Sequence, residues 1–244
     1  MTPAPSPARF VPTPRNLARL KLALFVLCLL PALGYGWAFA SDRLGANPIE
    51  AITRASGEWT LRLLLITLAV TPLRRLTGWH WLLRLRRMLG LFVFAYACLH
   101  ALSWLWLDQF FDWRSVVNEI RERPFITVGV TAFVLLIPLA ATSSHAAIRA
   151  LGGRRWQNLH RTIYAIAILA IVHYWWVTRA DMLKPLLYAI VLALLLGARA
   201  QWRQREMDRQ LAANAPAARF KTLNVIPIVP QAGSTKRSDD DGNA

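Results

Sequence analysis

Five histidines are the residues of this sequence whose type and position could support metal or redox chemistry. His100 and His173 lie deep inside apolar runs, where an ionisable side chain is costly and therefore indicates function. His160 lies near the start of the run that contains His173. His80 and His145 lie in basic segments between runs, and we interpret them as solvated loop residues. The candidate metal ligands are therefore His100, His160 and His173.

The depths of His100 and His173 agree. His100 follows Arg87, the last charge before its run, by 13 residues, and His173 follows Arg161 by 12 residues. At 1.5 Å per residue, both imidazoles lie roughly 18–20 Å from the inner boundary. Two imidazoles at one depth on different helices can bind a haem iron from its two faces, and no Cys, Asp or Glu is placed beside either to indicate zinc. The alternative is a pair of histidines hydrogen-bonded within the bundle.

His160 is a candidate ligand for a second haem near the inner face. It lies 13 residues before His173, which is about 20 Å along one predicted helix. On an ideal helix the two side chains are about 140° apart, and no histidine of the third helix lies at the depth of His160. His80, His145 and Met88 are conceivable second ligands. An interfacial histidine capped by loop groups is the alternative.

The elements that must position these histidines are membrane helices. The chain has 244 residues, of which 55% are hydrophobic, and 11 tryptophans. Apolar runs long enough to cross a ~30 Å hydrocarbon core recur along it, and in lipid such runs form helices because the backbone must bond to itself. We predict an all-α integral membrane protein, a six-helix transmembrane bundle with spans at 21–40, 59–73, 88–107, 125–142, 156–178 and 182–196.

The formal charge of +16 could suggest nucleic-acid binding, but its distribution indicates membrane topology. With a cytoplasmic N-terminus, the inner segments hold 21 of the 29 Lys and Arg residues, and the two inner loops, 74–87 and 143–161, hold no acid. The three outer loops hold eight of the 13 acids. The positive-inside rule therefore predicts that both termini are cytoplasmic and that nucleic acid is not a partner.

Three segments are predicted: a cytoplasmic arm over 1–20, a haem-binding transmembrane domain over 21–200, and a largely disordered cytoplasmic tail over 201–244. The first run resembles a signal peptide cleaved after Ala40, but its length of about 18 residues exceeds the usual ~7–15, so we expect a retained helix. Cys28 and Cys98 lie inside apolar runs, and no disulfide is expected. With no acid placed inside a span, a proton-driven transporter is disfavoured.

Several motifs resemble one known family. They are Arg86-Arg87-Met88-Leu89-Gly90-Leu91 leading to Leu99-His100, Leu151-Gly152-Gly153-Arg154-Arg155-Trp156-Gln157-Asn158-Leu159-His160 continuing to His173-Tyr174-Trp175, Gly45-Ala46-Asn47-Pro48, and Thr71-Pro72-Leu73. Over about residues 20–200 the sequence is similar to the MsrQ (YedZ) family, the haem-binding membrane subunit of the bacterial periplasmic methionine sulfoxide reductase system. The tail after about residue 210 lies outside the resemblance.

The resemblance implies a ferric-reductase-like transmembrane domain in the bacterial inner membrane with one or two b-type haems. His100, His160 and His173 match the family's axial ligands to the haem iron. The family is also associated with flavin mononucleotide (FMN), for which no residues can be placed. By resemblance, the electron acceptor is a periplasmic molybdopterin methionine sulfoxide reductase of the MsrP type, which repairs oxidised proteins.

The short inner loops leave no room for a dehydrogenase domain, which needs well over ~100 residues. Electrons must therefore come from a cytoplasmic flavin reductase or from membrane quinol, and the chain is expected to be an electron-transfer subunit and not a stand-alone catalyst. Two other interpretations stay open. One is a ferric-reductase-like electron carrier with another partner, and the other is a non-haem membrane scaffold or transporter.

Overall fold

A computed structural model describes residues 12–178 and 181–214, and this part of the chain contains helices, turns and no strand. The helices are α1 (Pro14–Ala40), α2 (Pro48–Thr77), α3 (Leu83–Leu102), α4 (Trp113–Glu122), α5 (Pro124–Ala141), α6 (His145–Leu151), α7 (Gly153–His160), α8 (Ile163–Val177) and α9 (Leu183–Asn214). A 3-10 turn, His80–Leu82, precedes α3, and a π-helical segment, Ser103–Asp108, continues it.

The chain divides into two units, residues 1–202 and residues 203–244. The second unit, as far as it is described, is the end of α9. This helix runs past the predicted domain limit at residue 200. The rest of the predicted tail, 215–244, and residues 1–11 of the predicted arm lie outside the described residues.

The second predicted span begins earlier than the sequence pattern indicated. The Asn47 side chain accepts a hydrogen bond from the Glu50 amide at 3.1 Å, and Pro48 occupies the first turn. Asn47 also donates to the Glu50 carboxylate at 3.1 Å, which completes a cap. α2 therefore starts at Pro48, so the assignment of Glu58 to an outer loop was wrong: it lies inside the helix.

Four helical segments of the described residues are long and apolar enough to cross a membrane: Pro14–Ala40, His80–Asp108, Pro124–Ala141 and Leu183–Asn214. They correspond to four of the six predicted spans. α2 has 30 residues but carries charges along its length, and α8 has 15 residues. The described part of the chain thus has the apolar helices of a multi-pass membrane protein, and large apolar side chains on α1 and α9 such as Leu22, Leu30 and Leu194 are exposed, as lipid-facing residues are.

The fifth predicted span, 156–178, is not one continuous helix. α7 ends at His160 and α8 begins at Ile163. Between them, the Thr162 amide bonds the Leu159 carbonyl, and the Tyr164 amide bonds the Arg161 carbonyl. These short-range bonds tighten the helix locally, while Arg161 and Thr162 keep right-handed helical dihedral angles. The angle of about 140° expected between His160 and His173 on one ideal helix is changed by this local tightening.

The core is built from two helix pairs. α2 packs chiefly on α3, and α5 packs chiefly on α8, with further contacts between α3 and α5 and between α2 and α8. The buried side chains include Leu64, Leu68, Leu89 and Val93 from the first pair, and Ala132, Leu136, Ala167 and Ile171 from the second. The two helices that carry His100 and His173 therefore each lie against a partner helix that can fix the imidazole.

α1 is joined to α3 through Tyr96. The Tyr96 hydroxyl accepts from the Ala32 amide at 3.1 Å and donates to the Cys28 carbonyl at 2.7 Å. These groups flank Pro31, where the helical ladder lacks a donor. Cys28 and Cys98 are both free thiols, as expected.

Candidate functional site

The imidazoles of His100 and His173 face each other in the bundle. Their ring centroids are 6.1 Å apart, and their planes are inclined at 74°. Metal–imidazole bonds are about 2.0–2.1 Å long. Two imidazoles on opposite sides of one metal ion therefore have ring centroids about 6 Å apart, once the half-width of each ring is added. The spacing of the two rings fits one shared metal ion.

Both rings are held in the tautomer that a metal requires. Nδ1 of His100 lies 2.8 Å from the Thr53 carbonyl oxygen, and Nδ1 of His173 lies 2.7 Å from the Phe125 carbonyl oxygen. A carbonyl oxygen only accepts, so in each pair Nδ1 carries the proton and donates it. Nε2 of each neutral ring then keeps its lone pair for a metal ion, and the carbonyl fixes the orientation of the ring.

A glycine lies under each ring, one helical turn beyond the carbonyl that holds it. A Cβ atom added at Gly57 would lie 3.0 Å from Nδ1 and Cε1 of His100, and one at Gly129 would lie 2.8 Å from the same atoms of His173. Gly57 follows Thr53 by four residues, and Gly129 follows Phe125 by four. Each imidazole thus lies in a groove that exists because the partner helix has no side chain there.

The backbone around His100 is shaped by hydroxyl groups. Thr53 donates from its side chain to the Ser103 hydroxyl at 2.9 Å, and Ser103 donates to the His100 carbonyl at 2.9 Å. Ser103 is the first residue of the π-helical segment, a rare conformation that often occurs at functional sites. Thr53 therefore holds His100 twice, through its own carbonyl and through Ser103.

His160 is separated from this pair and has different neighbours. Its Nδ1 lies 3.1 Å from the Trp156 carbonyl on its own helix, and its ring stacks on Trp156 at 4.0 Å between centroids. The Leu139 carbonyl and the Arg86 guanidinium lie near it. The structure does not bring it together with His80 or His145, which are both exposed.

The set of donor atoms indicates the kind of metal group that fits. Among the described residues, no group of three or more His, Cys, Asp or Glu side chains could hold an ion. His100 and His173 supply two imidazole nitrogens, and no third ligating side chain of these types joins them in the described part of the chain. A metal whose remaining ligands are its own, as in a porphyrin, matches this donor set, whereas zinc, with four protein ligands, does not.

A polar network beside the paired histidines was missed by the sequence analysis. Glu58, one residue after Gly57, forms an ion pair with Arg62 on α2. Arg62 donates from Nε to the Tyr188 hydroxyl at 3.1 Å, and the Tyr174 hydroxyl lies 3.4 Å from a Glu58 oxygen. Glu58 was not included in a predicted helix, because the cap at Asn47 was not recognised as the start of α2.

The same network borders a shallow cavity of about 510 Å³ between α1 and α2, which is wide open on its outer side. Its lining consists of Leu30, Pro31, Gly34, Tyr35, Ala38, Trp59 and Arg62. The Arg62 guanidinium lies 4.9 Å from the centroid of the Trp59 ring. The lining joins aromatic surface to one charged group.

Comparison with known proteins identifies the relatives of this fold and site. The family described as "Ferric reductase like transmembrane component" matches residues 56–171, which include His100 and His160 and end two residues before His173. A protein of Azospira oryzae named "Protein-methionine-sulfoxide reductase heme-binding subunit MsrQ" is 64% identical over 82% of this chain and 84% of its own length. A protein of the same name from Herminiimonas arsenicoxydans is 50% identical over 84% of this chain and 96% of its own length. Another, from Bordetella pertussis, is 56% identical over 81% of this chain and 97% of its own length. With this identity along nearly the whole length of its relatives, the chain belongs to the MsrQ family.

Proposed function

We propose that this chain is the haem-b membrane subunit that delivers electrons to a periplasmic methionine sulfoxide reductase. The observation that carries the proposal is the His100–His173 pair, with centroids 6.1 Å apart and both Nδ1 atoms bonded to carbonyls. The names of the relatives support both the haem and the reductase system. The direct test is the visible spectrum of the detergent-purified protein, oxidised and then reduced with dithionite. A six-coordinate b-type spectrum is expected, and a colourless protein after expression with ample haem would favour the scaffold or transporter alternative.

Within this proposal, His100 and His173 would together hold one haem iron, and His160 would hold a second haem. A haem with two imidazole ligands supplies one-electron transfer, since it has no open position for oxygen or substrate. The residues of the chain provide the geometry. The Thr53 and Phe125 carbonyls keep the Nδ1 protons in place and fix the orientation of the rings.

The proposed topology is that of an inner-membrane protein with six spans and cytoplasmic termini. Four apolar helices support it directly by length and composition. α2 and α8 would be the remaining two spans. α2 has a polar face because it carries the Glu58–Arg62 network on the bundle side, and α8 is short because the α-helix is interrupted at Arg161 and Thr162. The charge distribution sets the orientation.

Two electron donors are proposed, a cytoplasmic flavin reductase and membrane quinol. The cavity between α1 and α2 supports quinol. It offers Tyr35 and Trp59 as aromatic walls for a ring, and the Glu58–Arg62 pair lies beside it as a candidate for proton exchange. FMN stays a proposal from family membership, with no residues assigned to it.

The proposed acceptor is an MsrP-type periplasmic molybdopterin reductase. The segment after α3 is suited to a transient contact with it, because Trp106, Phe110 and Trp113 are largely exposed there. Phe110 and Phe111 also have positive φ values of 49° and 59°, a strained backbone of the kind found at functional sites.

The partner is tested by reducing the haem without oxygen, using flavin reductase and NADH or a soluble quinol, and then adding the acceptor with a methionine sulfoxide substrate. Reoxidation is expected only when both acceptor and substrate are present. Haem reoxidation that does not depend on the acceptor or the substrate would exclude this partner. The chain would then be an electron carrier of another system. Reduction by one donor alone would identify the donor.

A further inference from the structure

Three arginines at one end of the bundle are partly buried and have no acidic partner. We call Arg74, Arg86 and Arg199 the arginine cluster. They come from the end of α2, the start of α3 and the second half of α9. In the described part of the chain, the ion pairs are Glu50–Arg54, Glu58–Arg62, Glu119–Arg123 and Asp181–Lys184, and none includes these arginines. The cluster is therefore a concentration of positive charge that the described residues leave uncompensated.

Arg199 is fixed in place by neutral groups. It donates from one terminal nitrogen to the Tyr164 hydroxyl and from the other to the Leu68 carbonyl. Its guanidinium also lies 5.2 Å from the centroid of the Tyr164 ring. These contacts hold the charge between α2, α8 and α9 without neutralising it. An arginine that served only to set membrane topology would not need these contacts.

Electrostatic repulsion between these arginines adds to the free-energy cost of burying them. Arg86 lies close enough to Arg199 for the two charges to repel each other, and His160 lies near Arg86. The Nε atoms of Arg74 and Arg199 are buried without a hydrogen-bond partner in the part of the chain that is described. Like charges that are partly buried and carry unsatisfied donors are unfavourable unless an anion is present.

We propose that the arginine cluster binds a phosphate group. A guanidinium pairs with phosphate through two parallel hydrogen bonds, and phosphate has enough oxygens to satisfy Arg86 and Arg199 at once. Basic pockets between membrane helices near the cytoplasmic face bind the head groups of anionic lipids. The same chemistry is offered by a soluble phosphate ester, so the experiment distinguishes these two sources.

The experiment uses the full-length protein in detergent and measures phospholipid binding by native mass spectrometry. Phosphatidylglycerol, phosphatidylcholine and inorganic phosphate are the probes, each added to the wild type and to the Arg199→Gln, Arg86→Gln and Arg54→Gln variants. Arg54 is the matched control, since it is exposed and paired with Glu50 away from the cluster. The expected result is at least a tenfold loss of affinity for phosphatidylglycerol in the two cluster variants and no change in the control.

Each outcome decides the proposal or the source of the phosphate. Preference for phosphatidylglycerol over phosphatidylcholine, without competition by inorganic phosphate, assigns the site to a lipid. Binding of inorganic phosphate that displaces the lipid assigns it to a soluble phosphate ester. Cluster variants that bind as the wild type does, or a wild type that binds none of the probes, would overturn the proposal. If Arg199→Gln unfolds, Arg199→Lys replaces it; this change keeps the charge, and a smaller loss of affinity is expected because the bidentate geometry is removed.

Discussion

The imidazole planes of His100 and His173 are inclined at 74°, with 6.1 Å between their centroids. Each plane is set by its own carbonyl, so the angle is a property of the helix packing and not of a bound group. Two axial imidazoles that are nearly perpendicular give a ferric low-spin spectrum with one large g value, whereas parallel imidazoles give a rhombic spectrum. We therefore expect electron paramagnetic resonance of the oxidised protein to contain a signal of the large-g type. A purely rhombic spectrum would contradict this geometry.

Replacing His100 or His173 by Ala should remove the same haem. Each residue supplies one face of one iron, so either change should abolish most of that spectral component. Replacing His160 should affect a different component. The measurements are haem per protein and a redox titration of each variant. His80→Ala and His145→Ala are the controls, because both side chains are exposed and we expect no loss. Identical losses at His160 and His100 would refute the arrangement of two separate haems.

Gly129→Ala should disturb the haem held by His173. The new methyl group would lie 2.8 Å from two ring atoms, so the imidazole must move or the helices must separate. Overpacking of this kind costs about 1–3 kcal/mol. We expect lower haem occupancy, a lower Tm and a changed large-g signal. Gly57→Ala, with contacts at 3.0 Å, should act in the same direction on His100.

Gly90→Ala provides the matched control for these two variants. It makes the same change inside α3, but its Cβ atom would meet nothing within 4 Å. The variant should keep its haem and should be unchanged in stability or up to about 1 kcal/mol more stable, because alanine favours the helix. If all three glycine variants lost haem equally, the loss would reflect helix effects and not contact with the rings.

Glu58→Gln should test membrane quinol as the proposed donor. If quinol is oxidised beside the Glu58–Arg62 pair, losing the carboxylate removes a proton acceptor, and reduction by quinol should slow at least tenfold. Reduction by dithionite should be unchanged, and this is the internal control. Stopped-flow absorbance of the haem measures both rates. An unchanged quinol rate would exclude Glu58 from proton transfer, and a lower dithionite rate would indicate damage to the haem site.

Reporter fusions test the orientation. Fusions after Arg87 and after Arg205 should be cytoplasmic, and a fusion near Asp112 should be periplasmic. The basis is the division of the 29 basic residues, 21 in inner segments and the remaining eight elsewhere. A periplasmic signal from the fusion after Arg205 would rule out six spans with both termini inside.

The sequence predicts the helices and the candidate histidines better than it predicts the glycine grooves in which the imidazoles lie. Depth counted from Arg87 and Arg161 placed His100 and His173 at one level because rise per residue is uniform in a helix. The grooves at Gly57 and Gly129 depend on which turn of α2 faces α3 and which turn of α5 faces α8. That register is set by packing between helices and leaves no local signal.

Two departures from expectation have local causes. The early start of α2 was readable in Asn47, Pro48 and Glu50, which together form a helix-capping pattern. The turn between α7 and α8 was not readable, because Arg161 and Thr162 have no strong helix-breaking character. It tightens the helix locally, so the argument that placed His160 and His173 on one ideal helix applies only in part.

The assignment of His100 and His173 to different helix pairs has a consequence for biogenesis. During synthesis, α2 and α3 are complete well before α8 leaves the ribosome, so the first imidazole is seated while the second has not yet been made. A group bound by both imidazoles joins the two pairs, and its binding energy then contributes to the assembly of the whole bundle. Cells short of haem should therefore accumulate chains whose two halves are inserted but poorly docked, and membrane proteases would remove these first.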